Sequence, residues 1–194
     1  MHNYRKKGVK MQDKIEKRIE DYIRVTDIVG QFSDYSKIPA DVLERKKNIG
    51  TDVHLAIEAE TGDFFHKPME ESRGYIDSYF KWKENIEGQV LLSEARIFND
   101  ELNVTGCLDC VMKINEQLFL VDFKTSSQPN EETWPLQGHF YMYLYEKEYG
   151  VKIERAVFLQ LDKFGKKPKL YEYEWNDGLW KVCLAYLEVY KYRK

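Results

Sequence analysis

The sequence predicts an α/β fold with mixed strand directions. Three observations carry this expectation. Over residues 89–126 the helical period gives way to three strand-like runs separated by short polar turns. Residues 135–149 and 178–192 carry helical apolar periodicity. Between those helices, RAVFLQLD and KLYEYEW read as two further strands.

Taken in order, residues 10–24 and 39–48 read as polar helices, with turn and cap residues between them ahead of Pro39. Thr51 or Asp52 can cap another helix, which places Val53, Ala56, Ile57 and Glu60 on one side and stops at Gly62. Pro68 opens PMEESRGYIDSYFKWKENIE, a helix with Tyr75, Tyr79, Phe80 and Trp82 on its apolar stripe. QVLLSEARIF, ELNVTGCLDCVMKI and QLFLVDFKTS follow as an antiparallel meander, turned at Asn99-Asp100 and at Asn115-Glu116. Glutamate disfavours positive φ, so the second turn specifies its register less firmly than the first. Pro135 opens a helix through Tyr149, closed by Gly150. The basic loop KFGKKPK separates the last two strands, and a final helix carries Leu179, Trp180, Cys183, Leu184, Leu187 and Tyr190. The expected organisation is one domain over 1–194, with a helical part at 1–50, a sheet core at 89–175 containing the helix 135–149, and the C-terminal helix 178–192.

A hydrophobic content of 43% suits a single substantial core. The net charge of -3 does not mark a nucleic-acid binder, yet a basic groove or bound cations can reverse the field locally. Three cysteines argue against a secreted disulfide framework. The start, MHNYRKKGVKMQDK, lacks a signal-peptide core, and no apolar run approaches a membrane span. The expectation is a soluble protein of a reducing compartment, the cytoplasm of a bacterial or phage-infected cell. Without a GxxxxGK[ST] loop, the chain is not itself a nucleotide-driven motor.

The stretch LFLVDFKTS places Asp122 and Lys124 in an otherwise oily strand. If Asn115-Glu116 is a two-residue loop, Ile114 faces Gln117 and Asp109 falls opposite Asp122. Opposed residues point to the same sheet face, as does Lys124 two positions on. Facing carboxylates destabilise a sheet unless a cation lies between them, and hard oxygen donors suit Mg²⁺ or Mn²⁺. A lysine beside such an ion can hold a water, and desolvation would push its pKa downward. Metal-assisted attack of water on a phosphodiester fits these parts. The other reading is a buried Asp–Lys ion pair.

These residues resemble a family. Gly106-x-x-Asp109, Asp122-Phe123-Lys124-Thr125-Ser126 and Gln137-x-x-x-Tyr141 are similar to the ordered motifs of PD-(D/E)XK nucleases, in the RecB-type exonuclease branch of phage and mitochondrial DNA-processing enzymes. Upstream, Gly50-Thr51-x-x-His54-x-x-x-Glu58 resembles that branch's helical histidine motif. The resemblance implies a restriction-endonuclease-like mixed central sheet flanked by helices. It implies Asp109, Asp122, His54 and the backbone carbonyl of Phe123 as metal ligands, Lys124 as the water-activating residue, and Gln137 and Tyr141 as DNA-binding or site-steadying groups. The form here is DxK rather than the commoner ExK.

His54 and Glu58 are four apart on one helix and hence neighbours, although either can be purely structural. Gln137 and Tyr141 also share a face, which ordinary packing would equally explain. The Asn99-Asp100 turn would pair Glu94 with Thr105, on the metal face but about 13 Å along the strand from Asp109, so Glu94 stands as an auxiliary candidate. Strand parity would put Cys107 and Cys110 on opposite faces, and with Cys183 they are too few for a cluster, so free core thiols are expected. Arg45, Lys46 and Lys47, and Lys166 and Lys167 in the loop from Lys163 to Lys169, are either solvated surface or phosphate contacts. The expected function is Mg²⁺- or Mn²⁺-dependent hydrolysis of DNA from its ends, in DNA processing, recombination or repair. A structure-selective or restriction-type endonuclease and a catalytically silent DNA-binding subunit are the alternatives. DNA is the expected partner, with no membrane; a homo-oligomer or a replication or recombination partner protein is not readable from the sequence.

Overall fold

A mixed six-stranded sheet runs through the middle of the protein, and helices cover both of its faces. The computed structural model describes residues 18–62 and 64–194. Along the chain it contains β1 (Ile23–Arg24), α1 (Val25–Gly30), α2 (Ala40–Thr61), a 3-10 turn (Glu70–Ser72), α3 (Arg73–Lys83), β2 (Gly88–Asn99), β3 (Val104–Ile114) and β4 (Gln117–Lys124). It continues with α4 (Thr133–Tyr149), β5 (Arg155–Gln160), β6 (Lys169–Glu174) and α5 (Asp177–Arg193).

β3 pairs antiparallel with β2 along its whole length. On its other edge it pairs parallel with β1 at Val104 and Thr105 and antiparallel with β4 from Cys110 to Ile114. β4 and β5 are parallel, joined by the crossover helix α4, and β6 returns antiparallel to β5. One face buries Val25 and Ile28 of α1, Leu136, Phe140 and Leu144 of α4, and Cys183 and Leu187 of α5. The opposite face buries Val53 and Ile57 of α2 with Tyr79 and Trp82 of α3.

Several sequence expectations change. The helix expected at 10–24 lies outside the described residues up to position 17, and its end, Ile23–Arg24, is strand β1. Val25–Gly30, read as turn and cap residues, is helix α1, whose Val25, Ile28 and Val29 are buried. The helices expected on either side of Gly50 are one continuous helix, α2. Asp52 does not cap it: its carboxylate accepts from the Met69 N–H at 2.9 Å and lies 2.8 Å from His66 Nε2. Tertiary anchoring of the 62–69 loop outweighs the local cap signal. Past Pro68 the chain makes a 3-10 turn before α3 begins at Arg73.

The two hairpins behave differently. Asn115 and Glu116 have φ of 49° and 64°, so both occupy the left-handed region of a two-residue turn, and Ile114 pairs with Gln117 as counted from the sequence. The other connection spans four residues, 100–103, because Asn99 Oδ1 accepts from the Leu102 N–H at 2.8 Å and Asn103 supplies a φ of 56°. Thr105 therefore pairs with Phe98 and not with Glu94.

Helix α4 approaches β3 closely at Gly106. A Cβ there would lie 2.6 Å from Tyr141 Cε1 and 3.2 Å from Leu144 Cδ1. Gly106→Ala is therefore an overpacking change, expected to cost about 1–3 kcal/mol. Thermal unfolding checks this, since a melting temperature equal to wild type would mean that α4 does not depend on that gap.

Candidate active site

The β3–β4 ladder runs from Ile114↔Gln117 to Cys110↔Val121 and ends there. One step further, Asp109 and Asp122 stand across from each other where the strands part. In the gap, Asp109 Oδ2 accepts from the Phe123 N–H at 2.8 Å, taking the place of a partner-strand carbonyl. β4 remains paired on its other edge to β5 through Asp122↔Phe158 and Lys124↔Gln160.

Strand β2 meets the same spot. Glu94 falls between the pairs Ser93↔Cys110 and Ala95↔Leu108, hence across from Asp109. Its φ of 46° is a strained conformation for glutamate. The facing of β3 slips at the same level: Leu108 packs on the α4 side, whereas Cys110 and Met112 pack under α2 and α3. The expectation that Glu94 lies about 13 Å away along the strand is thus corrected by a register four residues different from the one counted. The expected parity of the two cysteines is corrected as well. Cys107 Sγ donates to Glu94 Oε2 at 3.5 Å, on the side where Cys110 is also buried. All three cysteines are free, and burial first, then the charge of Glu94, pushes the Cys107 thiol up to about 12.

Helix α2 contributes His54. Its Nδ1 lies 3.0 Å from Glu94 Oε1 and 3.6 Å from Asp109 Oδ1, and its Nε2 lies 3.1 Å from the Phe123 carbonyl oxygen. Burial alone would lower the imidazole pKa. The charges of Asp109, Glu94 and Asp122 and the hydrogen bond to Glu94 outweigh it and raise the pKa to about 10. Asp109 moves above the usual carboxylate range, chiefly through burial and next through the charge of Asp122. Glu58, one turn after His54, is raised by burial and by Glu94. With Gly50, Thr51 and Leu55, these two residues and Glu94 line a pocket of about 300 Å³.

On the α4 side, Gln137 orders the remaining groups. Its Nε2 donates to Asp122 Oδ2 at 3.0 Å and to Tyr141 Oη at 3.1 Å, and its Oε1 accepts from Lys124 Nζ at 3.0 Å. Tyr141 is buried, and desolvation followed by the charges of Asp122 and Asp109 raises its phenol, so it stays neutral. Asp122 is 1% exposed. Its Oδ1 forms a buried ion pair with Lys124 Nζ at 2.5 Å.

This donor set fits a divalent cation. One ligand atom each from His54, Glu94 and Asp109 lies within 4.8 Å of the others. The Phe123 carbonyl sits beside His54 Nε2, and the buried Asp122 carboxylate, paired through Oδ1 with the Lys124 ammonium, adds a further hard oxygen donor beside them. The three-residue cluster contains Glu94, the residue that counting had placed too far away, and not Asp122, which Gln137 and Lys124 hold. Of the basic residues, Arg45 makes an exposed two-pronged pair with Glu71, at 2.6 and 3.0 Å, while Lys46, Lys47, Lys166 and Lys167 are exposed.

A family profile described as the PD-(D/E)XK nuclease superfamily matches residues 70–185. The chain belongs to that superfamily. It is similar to the human protein named mitochondrial genome maintenance exonuclease 1, with 28% identity over 130 residues, covering 62% of this chain and 38% of that one. The chain thus corresponds to well under half the length of that relative. In fold it is similar to a crystal structure titled as a candidate exonuclease from Eubacterium rectale, with a TM-score of 0.53 and 11% identity, covering 91% of this chain and 81% of that one.

Metal uptake by this cluster would compete with protons. His54, raised from 6.5 to about 10, contributes stability to the metal-free protein that is fully present below 6.5 and is lost as pH rises through 10. The raised carboxyl of Asp109 works in the same direction, favouring the metal-free fold at lower pH. The rise in melting temperature on adding Mn²⁺ is accordingly expected to be larger at pH 8 than at pH 6. Differential scanning fluorimetry checks this; an equal rise at both values would argue against proton-linked ligands.

Proposed function

We propose that the protein is a divalent-metal-dependent deoxyribonuclease that hydrolyses phosphodiester bonds from DNA ends, with 1–194 acting as one nuclease domain. One observation carries the reading: His54, Glu94 and Asp109 converge within 4.8 Å beside a buried Asp122 and a half-buried Lys124. Three acids drawn to one place with a histidine and a lysine are poor packing and good cation chemistry. The mix of hard oxygen donors with one imidazole suits Mg²⁺ or Mn²⁺. His54, Asp109, Asp122 and the Phe123 carbonyl would hold the ion, with Glu94 bearing on it directly or through His54.

When bound, the ion supplies polarisation of the phosphate and a more acidic water. The chain's own residues supply position. Lys124 directs its ammonium towards the attacking water and the non-bridging oxygens, holding the water in line. Gln137 fixes Lys124 and Asp122 relative to each other, and Tyr141 fixes Gln137. The water oxygen bonds to phosphorus as the P–O bond to the departing nucleotide breaks; the water's proton passes to solvent and the leaving oxygen takes one up. Arg45, Lys46, Lys47, Lys166 and Lys167 are the proposed backbone contacts. The human relative's name supports attack from an end. No helix among the described residues is long and apolar enough to cross a membrane.

Linear and closed-circular DNA, incubated with Mg²⁺, Mn²⁺ or chelator, test the proposal. Linear DNA is expected to be degraded with metal only, and Asp122→Ala and Lys124→Ala are each expected to cut roughly 10²–10³-fold more slowly. Undiminished cutting by both variants would refute the assignment. Equal cutting of circles would make the enzyme an endonuclease, and DNA binding without metal uptake or cutting would make it a silent binding subunit.

A further inference from the structure

The loop between β5 and β6, residues 161–168, carries Lys166 and Lys167, and it starts at the site. The Leu161 N–H donates to the Lys124 carbonyl at 2.8 Å. The loop backbone is pinned at successive points. The Asp162 N–H donates to Ser78 Oγ at 3.0 Å, and Asp162 Oδ1 accepts from the N–H groups of Phe164 at 2.8 Å and Lys166 at 3.2 Å. Lys81 Nζ donates to the Gly165 carbonyl at 2.5 Å, and Gly165 turns with a φ of 73°. Helix α3 admits the loop only because residue 74 is glycine: a Cβ there would lie 1.9 Å from the Lys163 carbonyl oxygen.

A loop held this firmly has the means to bury an aromatic ring, and this one does the reverse. Phe164 is 75% exposed, with Lys163 Nζ 4.7 Å from its ring. Lys166, Lys167 and Lys169, all exposed, line the same pocket as Phe164. That pocket, of about 370 Å³, is also lined by Tyr75 and Gln160, and by Thr125 and Ser126, the residues that follow Lys124. An exposed ring among amines, over a pocket of mixed apolar and polar lining that reaches Thr125, the residue after the proposed catalytic lysine, matches the recognition chemistry of an unpaired polynucleotide strand. A duplex offers no free base face to the ring except at an end.

We infer that the β5–β6 loop is a single-strand DNA subsite, with Phe164 stacking on an unpaired base and Lys163, Lys166, Lys167 and Lys169 holding phosphates of the strand that passes Lys124. The inference rests on the proposed DNA substrate. The loop backbone is already pinned, so stacking costs little ordering of the loop.

The test is fluorescence anisotropy of labelled oligo(dT) with the full chain in chelator, where no cutting occurs. Phe164→Ala is expected to weaken oligo(dT) binding roughly 5- to 50-fold while leaving blunt duplex binding within about twofold, and Phe164→Trp to restore it. The double change Lys166→Glu and Lys167→Glu should reduce the log–log salt slope for oligo(dT) by about 1.4 or more. Unchanged oligo(dT) binding in Phe164→Ala, at an unchanged melting temperature, would overturn the subsite. Tighter binding of oligo(U) than of oligo(dT) would overturn the choice of DNA. A protein that never cuts but binds oligo(dT) through Phe164 would keep the subsite and sink the nuclease reading; one that cuts with Phe164-independent binding would do the opposite.

Discussion

The parting of β3 and β4 after Cys110↔Val121 is the constraint on which the rest depends. It removes backbone partners from the end of β4 and lets carboxylates take their place, as Asp109 does at the Phe123 N–H. Two unit charges about 5 Å apart repel by roughly 3 kcal/mol at an effective dielectric of 20. That exceeds the roughly 0.2–1 kcal/mol of a good cross-strand pair. Facing Asp109 and Asp122, with Glu94 brought in from β2, is therefore a cost to the sheet that only neighbouring cations offset. His54 responds by holding its proton far above its usual range, a sign of how strongly the acids call for positive charge.

The scaffold is arranged around that gap from both sides. From one face, α2 lays His54 against the Phe123 carbonyl, with Val53 and Ile57 buried on the same helix to fix its rotation. From the other, α4 approaches β3 through the absent side chain of Gly106, which sets Tyr141, and through it Gln137, at the depth of Asp122 and Lys124. The polar groups of the site are thus positioned by ordinary apolar packing on two separate cores. The strained backbone of Glu94 is the local sacrifice, and it lies where a third acid joins the cluster.

Much of this was legible beforehand, for reasons that differ by residue. The Asn115-Glu116 hairpin could be counted because a two-residue turn admits one register, and the left-handed φ values at both positions hold it there despite glutamate's reluctance. The Asn99-Asp100 hairpin could not. Whether Asn99 acts as a turn residue or caps the Leu102 N–H is decided by four residues of loop, and that choice moves Glu94 from the margin to the centre. Within the continuous helix α2, Gly50, Thr51 and Asp52 carry the local signs of a helix start. The loop that claims the Asp52 carboxylate comes back from the chain at Met69, beyond the reach of a local window. β1, two residues long, has no periodicity to read, and the polar–apolar alternation of β3 hides the slip at Asp109 that moves Cys107 and Cys110 to one side.

The central claim is that these acids share an inorganic cation. Anomalous scattering from crystals soaked in Mn²⁺ at pH 8 tests it most directly. The expected result is a strong peak roughly 2.0–2.4 Å from a His54 ring nitrogen, an Asp109 carboxylate oxygen and the Phe123 carbonyl oxygen. A peak elsewhere on the protein, or none between β3, β4 and α2 at saturating Mn²⁺, would contradict the account.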